Sequence, residues 1–71
     1  MTGDDIREAL KRLKLSQLQA AAICGVSDRT FRSWISNQYR PPWTASIMIR
    51  LCLADRENLK RAQRWSEELL E

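Results

Sequence analysis

The chain has 71 residues, 44% of them apolar, and a formal net charge of +3. That length allows one domain with a small core, and that apolar fraction argues against a disordered chain. Histidine is absent and the two cysteines, Cys24 and Cys52, have no Cys-x-x-Cys spacing, which argues against a zinc site of the usual kind. The apolar set is mostly Leu, Ile and Ala, with two Gly and two Pro, so an all-α fold is expected. The acidic start MTGDD lacks the basic-then-apolar layout of a signal peptide. No apolar run approaches the ~20 residues of a membrane span. A soluble, cytoplasmic protein with two reduced thiols is expected.

In chain order, Thr2 followed by Asp5 suggests a helix cap, and Asp4, Asp5 and Glu8 suit a helix N-terminus. Ile6, Ala9, Leu10 and Leu13 then recur at helical spacing, which predicts a first helix over residues 4–14. Ser16 with Gln19 three residues later has the pattern of a capping box and predicts a second helix over 17–24. Ala21 should face the third helix, where a tight crossing leaves no room for a branched side chain. Gly25 fits the left-handed position that ends the second helix.

Ser27 is a cap candidate for a third helix over 27–36, with Phe31, Trp34 and Ile35 on its buried side. Residues 37–42 read as a loop, with Asn37 a left-handed cap and the pair Pro41-Pro42 ending any continuation. Pro42 is placed to open a fourth helix over 42–54, with Ile47, Leu51 and Ala54 as one stripe, Met48 and Cys52 beside it, and Trp43 half exposed. Asp55 can cap a fifth helix over 56–70, whose apolar positions are Leu59, Ala62, Trp65, Leu69 and Leu70. The arrangement is a single compact five-helix domain covering residues 1–71.

The second and third helices, joined by a tight turn, have the spacing of a helix-turn-helix, whose second helix enters the DNA major groove. The charge agrees. Residues 11–50 carry seven basic side chains and one acid, a net +6, whereas the first ten residues sum to −2 and the last twenty-one to −1. A positive face over the motif is what phosphate neutralisation requires. The base-reading candidates are Ser27, Asp28, Arg29, Arg32 and Ser33, with Ser36 on the same polar side. Arg29 and Arg32 carry forked donors that match guanine O6 and N7, or they bind phosphate. Asp28 either accepts from cytosine N4 or complements the helix N-terminus, and Ser27 either reads or caps. Gln17, at the start of the second helix, is a phosphate-contact candidate. Gln38, Tyr39 and Arg40 lie in the following loop, where backbone contacts are expected. Trp34, spaced helically from Phe31, belongs to the core.

Residues 15–42 resemble the lambda-repressor-like, Cro-type helix-turn-helix family, also called the xenobiotic-response-element family. The matching residues are Leu15-Ser16-Gln17, Ala21, Gly25-Val26-Ser27, Phe31, Trp34 and the later proline. The resemblance implies a transcriptional repressor, usually a homodimer on an inverted repeat. It also implies phosphate contact at Gln17 and base contact around Ser27, Asp28, Arg29 and Ser33. Asn37 stands where the family often has Gly, and Phe31 is larger than the usual branched aliphatic. The compact size and the segment YRPPWTASIMIRLCLAD are also similar to small phage autorepressors, including anti-CRISPR-associated regulators.

One such domain covers one half-site, so a homodimer on a palindromic operator is expected. Helix 5, with the end of helix 4, is the candidate interface; Trp65, Leu69 and Leu70 either serve it or close the monomer core. Arg56, Lys60 and Arg64 read as a solvated face, and Glu57 with Arg61 as a helical ion pair. No base, glycine-rich phosphate loop or paired-acid motif suggests an enzyme. No cofactor, metal, membrane or small-molecule ligand is expected. The alternative is an adaptor module with the same fold that does not read DNA; such a module should expose apolar anchors on helix 3.

Overall fold

The structure is a computed structural model and describes residues 1–69. Leu70, expected in the last helix and its interface, lies outside the described residues. Among the described residues there are five helices and no strand: α1 (Gly3–Leu13), α2 (Gln17–Cys24), α3 (Asp28–Ile35), α4 (Trp43–Ala54) and α5 (Arg56–Leu69). No described helix is long and apolar enough to cross a membrane.

The helix starts follow local chemistry. Thr2 and Ser16 head complete capping boxes: each hydroxyl accepts from the backbone N–H three residues on, and Asp5 and Gln19 reach back to the cap N–H. The Thr2 N–H held by the Asp5 carboxylate (2.9 Å) keeps the Asp5 pKa below its ordinary value. Ser27 caps α3 through the Thr30 N–H (3.1 Å), and Asp55 caps α5 through the Glu57 N–H (2.9 Å). Pro42 precedes α4 in an extended conformation and makes no side-chain cap bond; it stands before the helix and not within it.

Three of the helix ends share one device, a left-handed residue whose N–H and whose successor's N–H both return to the last turn. Gly25 (φ 71°) does this after α2, with Val26 N–H bonded to the Ala21 carbonyl (3.0 Å). Lys14 (φ 55°) does it after α1, so Lys14 ends the helix instead of extending it. Asn37 (φ 63°) does it after α3, with Gln38 N–H on the Ser33 carbonyl (2.9 Å). A short polar side chain tolerates this conformation, as expected for Asn.

The core comprises Ile6, Ala9, Ala20, Ala21, Phe31, Trp34, Ala45 and Ile49. Phe31 and Trp34 pack tilted, with ring centroids 5.5 Å apart. Helix α4 buries Ala45, Ile49 and Cys52, with Met48 half-buried, while the stripe of Ile47, Leu51 and Ala54 faces outward. The polar residues of the helix, Thr44, Ser46 and Arg50, do not fall on one side, so no polar side marks which stripe turns inward; the packing of α1 and α5 against it decides. On α5 only Ala62 is buried. Trp65 and Leu69 remain exposed, so they do not close the core. Glu57 pairs with Lys60 (3.6 Å), not with Arg61.

Helix α1 meets the end of α3 at Gly3. The Gly3 N–H donates to the Asn37 side-chain oxygen (2.8 Å), and a Cβ at Gly3 would fall on the Ile35 carbonyl. Gly3→Ala must therefore push the two helices apart. The expected cost is about 1–3 kcal/mol, the range for overpacking, read from urea unfolding of both proteins.

Cys52 is buried and Cys24 half-buried, and both are free thiols. Together with Leu10, Ile23, Met48 and Ile49 they line a small apolar cavity. Burial, and secondarily the Cys52 thiol, push the Cys24 pKa up to about 11 from an ordinary 9.0. The folded state thus favours the neutral thiol. Its contribution to stability is intact below pH 9.0 and is lost as pH rises toward about 11. Urea midpoints across that window should fall further for the wild type than for Cys24→Ala; equal falls would assign the loss to other groups.

Candidate nucleic-acid interface

Helix α3 has two sides because Phe31 and Trp34 turn inward. The residues between and beyond them turn to solvent. An open groove of ≈ 960 Å³ runs along this outer side. Its lining includes Gln17 at the start of α2, Arg29, Thr30, Arg32, Ser33 and Ser36 along α3, and Gln38 and Tyr39 beyond it. Arg7 of α1 completes the rim. The charged groups lining the groove are all arginines, brought by two helices.

The amino end of α3 is tied to α2 through one carboxylate. The Gln17 side-chain amide donates to one Asp28 oxygen (3.2 Å). The Arg32 guanidinium pairs with the other at 2.9 Å, one helical turn along. Gln17 and Asp28 are both half-buried, whereas Arg32 is exposed. Asp28 therefore fixes two neighbours on the outer face, a role beyond the two considered from its position in the sequence. Its charge also suits the α3 N-terminus.

The expected site residues separate by what their side chains already do. Ser27 is committed to capping: its hydroxyl accepts from the Thr30 N–H and donates to the Thr30 hydroxyl (3.0 Å). The Ser33 hydroxyl donates to the Thr30 carbonyl (2.6 Å) and the Ser36 hydroxyl to the Ser33 carbonyl (3.2 Å). Each retains acceptor capacity toward the groove. Arg29 is exposed and has no ion-pair partner among the described residues. Arg40 does not line the groove. It sits in an adjoining hollow with Thr2, Asp5 and Asn37, and Tyr39 borders both. Arg7 and Thr30 were not among the expected residues. Thr30 falls in the polar arc of α3 and could have been found from its periodicity; Arg7 reaches the groove only through the docking of α1. Arg7 also lies 3.7 Å from Asp4, with both side chains exposed, a pair worth little in water.

Among the described residues there is no cluster of three or more His, Cys, Asp or Glu side chains able to hold a metal ion. No protein-family model matches the chain, and comparison with curated proteins and with solved structures returns no match.

Removing the Asp28 carboxylate forfeits one partly exposed ion pair, one hydrogen bond and a favourable charge at a helix start. Asp28→Ala should accordingly lower stability by only about 0.5–1.5 kcal/mol. Urea unfolding measures this; a loss several times larger would mean that Asp28 is holding α2 and α3 together.

Proposed function

We propose that this protein is a sequence-specific double-stranded DNA-binding regulator of transcription, acting as a repressor. It binds an inverted repeat as a homodimer and places α3 of each copy in the major groove. The observation that carries this reading is the outer side of α3. Arg29, Arg32 and Ser33 project from it, and Gln17 and Arg7 flank it on neighbouring helices. An α-helix with such donors fits the width of the major groove, and forked guanidinium groups match guanine edges. Gln17 and Arg7 are assigned to phosphates, which set the register of the helix without reading sequence. Arg40, displaced into the neighbouring hollow, is assigned to backbone at the edge of the site or to none. Occupying an operator then excludes polymerase from overlapping DNA.

Within this reading Asp28 limits what Arg32 can do. The ion pair holds the guanidinium on one side of the helix, so less of its rotamer freedom is lost on binding. The carboxylate also opposes phosphates, which penalises indiscriminate binding. The adaptor reading calls for apolar anchors on α3. There the outward groups are polar and basic, which favours DNA.

Selection of bound duplexes from random sequence, followed by titration of the variants, tests the proposal. Arg29→Ala or Arg32→Ala should lose about 1–3 kcal/mol on the selected site and relax preference at one base pair. Gln17→Ala should weaken binding by a similar factor on all duplexes. A palindromic consensus is expected. No enriched sequence, or full binding by both arginine variants, would overturn the assignment.

A further inference from the structure

The outward side of α4 carries a row of large, exposed apolar side chains. Trp43, Ile47 and Leu51 are 73%, 44% and 49% exposed. They recur every fourth residue and so lie along one face. They form a contiguous exposed apolar patch, and the largest such patch on a monomer is often functional. Thr44, Arg50 and Ala54, also exposed, border the row.

We propose that this row is the centre of a two-fold interface with a second copy of the chain, the two α4 helices packing antiparallel about Ile47. This deepens the DNA-binding reading and rests on it for its purpose, since it supplies the reader of the second half-site. The row is self-complementary under that symmetry. Ile47 meets its own mate, and Trp43 of each copy lies over Leu51 of the other, about 12 Å of helix apart in its own chain. Charge agrees with this pairing. The amino end of α4 has no side-chain cap and no acid in its first turn, and its carboxyl end is followed by the exposed Asp55. Antiparallel packing brings the uncapped, partially positive end of one copy toward Asp55 of the other. It sets Arg50 opposite Thr44, so the basic groups bordering the row do not meet. An interface has an apolar centre and a polar rim, and this face offers both; the rest of the ~800 Å² per partner that a stable dimer buries comes from residues around the row.

The last turns of α5 are the competing surface. Trp65 and Leu69 are exposed there, 54% and 85%. They line an apolar hollow with Ala22, Ile23, Met48 and Ala62, but Arg61, Arg64, Glu67 and Glu68 are exposed on the same turns of α5, and charged residues are depleted from interface centres. Helix α4 bears one charge beside its row.

Sedimentation equilibrium of the full chain without DNA tests this. The wild type should be a dimer. Ile47→Glu and Leu51→Glu, both at exposed helical positions, should raise the dimer Kd roughly tenfold or more while leaving helicity unchanged, and should remove the concentration dependence of the unfolding midpoint that a dimer confers. Asp55→Asn, which keeps the acceptor for the Glu57 N–H, should loosen the dimer a few-fold. Trp65→Glu should leave it intact. A monomeric wild type overturns the proposal, as does a dimer broken by Trp65→Glu but indifferent to both α4 variants. Because association is read without DNA, its failure is separate from failure of the DNA reading. A monomeric α4 variant should still bind a single half-site, with weakened binding to the full inverted repeat.

Discussion

Burial of the Phe31 ring is the contact on which the rest of this structure depends. The side chain is fully buried, and Trp34 packs beside it. A buried aromatic ring contributes about 3–5 kcal/mol, comparable to the whole net stability of a domain this small. Helix α3 has eight residues, too few to be stable alone in water. Its existence as a helix therefore rests on this one packed side. The same burial sets the rotation of α3 about its axis. With Phe31 and Trp34 inward, Arg29, Arg32 and Ser33 have nowhere to point but outward, and the arginine-lined groove is the other face of the core.

Rotation alone does not hold α3 in place; its two ends must be tied as well. At the amino end, Ser27 caps the backbone and Asp28 links α3 to Gln17 of α2. At the carboxyl end, Asn37 turns the chain and binds the first residue of α1 with its side chain. Asn37 thereby does two things that glycine at this position could not do together. It adopts the left-handed conformation, and it satisfies a backbone donor that the start of α1 would otherwise leave to water. Gly3 answers it, since only a residue without Cβ lets α1 approach this closely. Phe31 and Asn37 thus both have structural partners within the chain.

Much of this was legible in the sequence. The three hydroxyl caps at Thr2, Ser16 and Ser27, the left-handed Gly25 and Asn37, and the extent of α2 all follow from rules that act within a few residues. The amphipathic α3 showed its buried side for the same reason: Phe31 and Trp34 stand apart from Arg29 and Arg32 on one short helix. Gln17 and the outward residues of α3 were likewise readable as a group. Lys14 was not readable as a helix end, because an ordinary lysine gives no sign that it will adopt positive φ. Which side of α4 turns inward was not readable, because Ile47, Leu51, Ile49 and Cys52 are all apolar.

The sequence by itself determined five helices, their caps and the polar side of α3, because hydrogen bonding near a helix end and amphipathic spacing are local. Only the tertiary structure decided which side of α4 is inside, that Arg7 joins the groove while Arg40 leaves it, and that Asp28 holds Gln17 and Arg32 together. Those outcomes depend on how whole helices dock. Docking is set by the summed packing of residues distant in the chain, of which no single stretch carries a record.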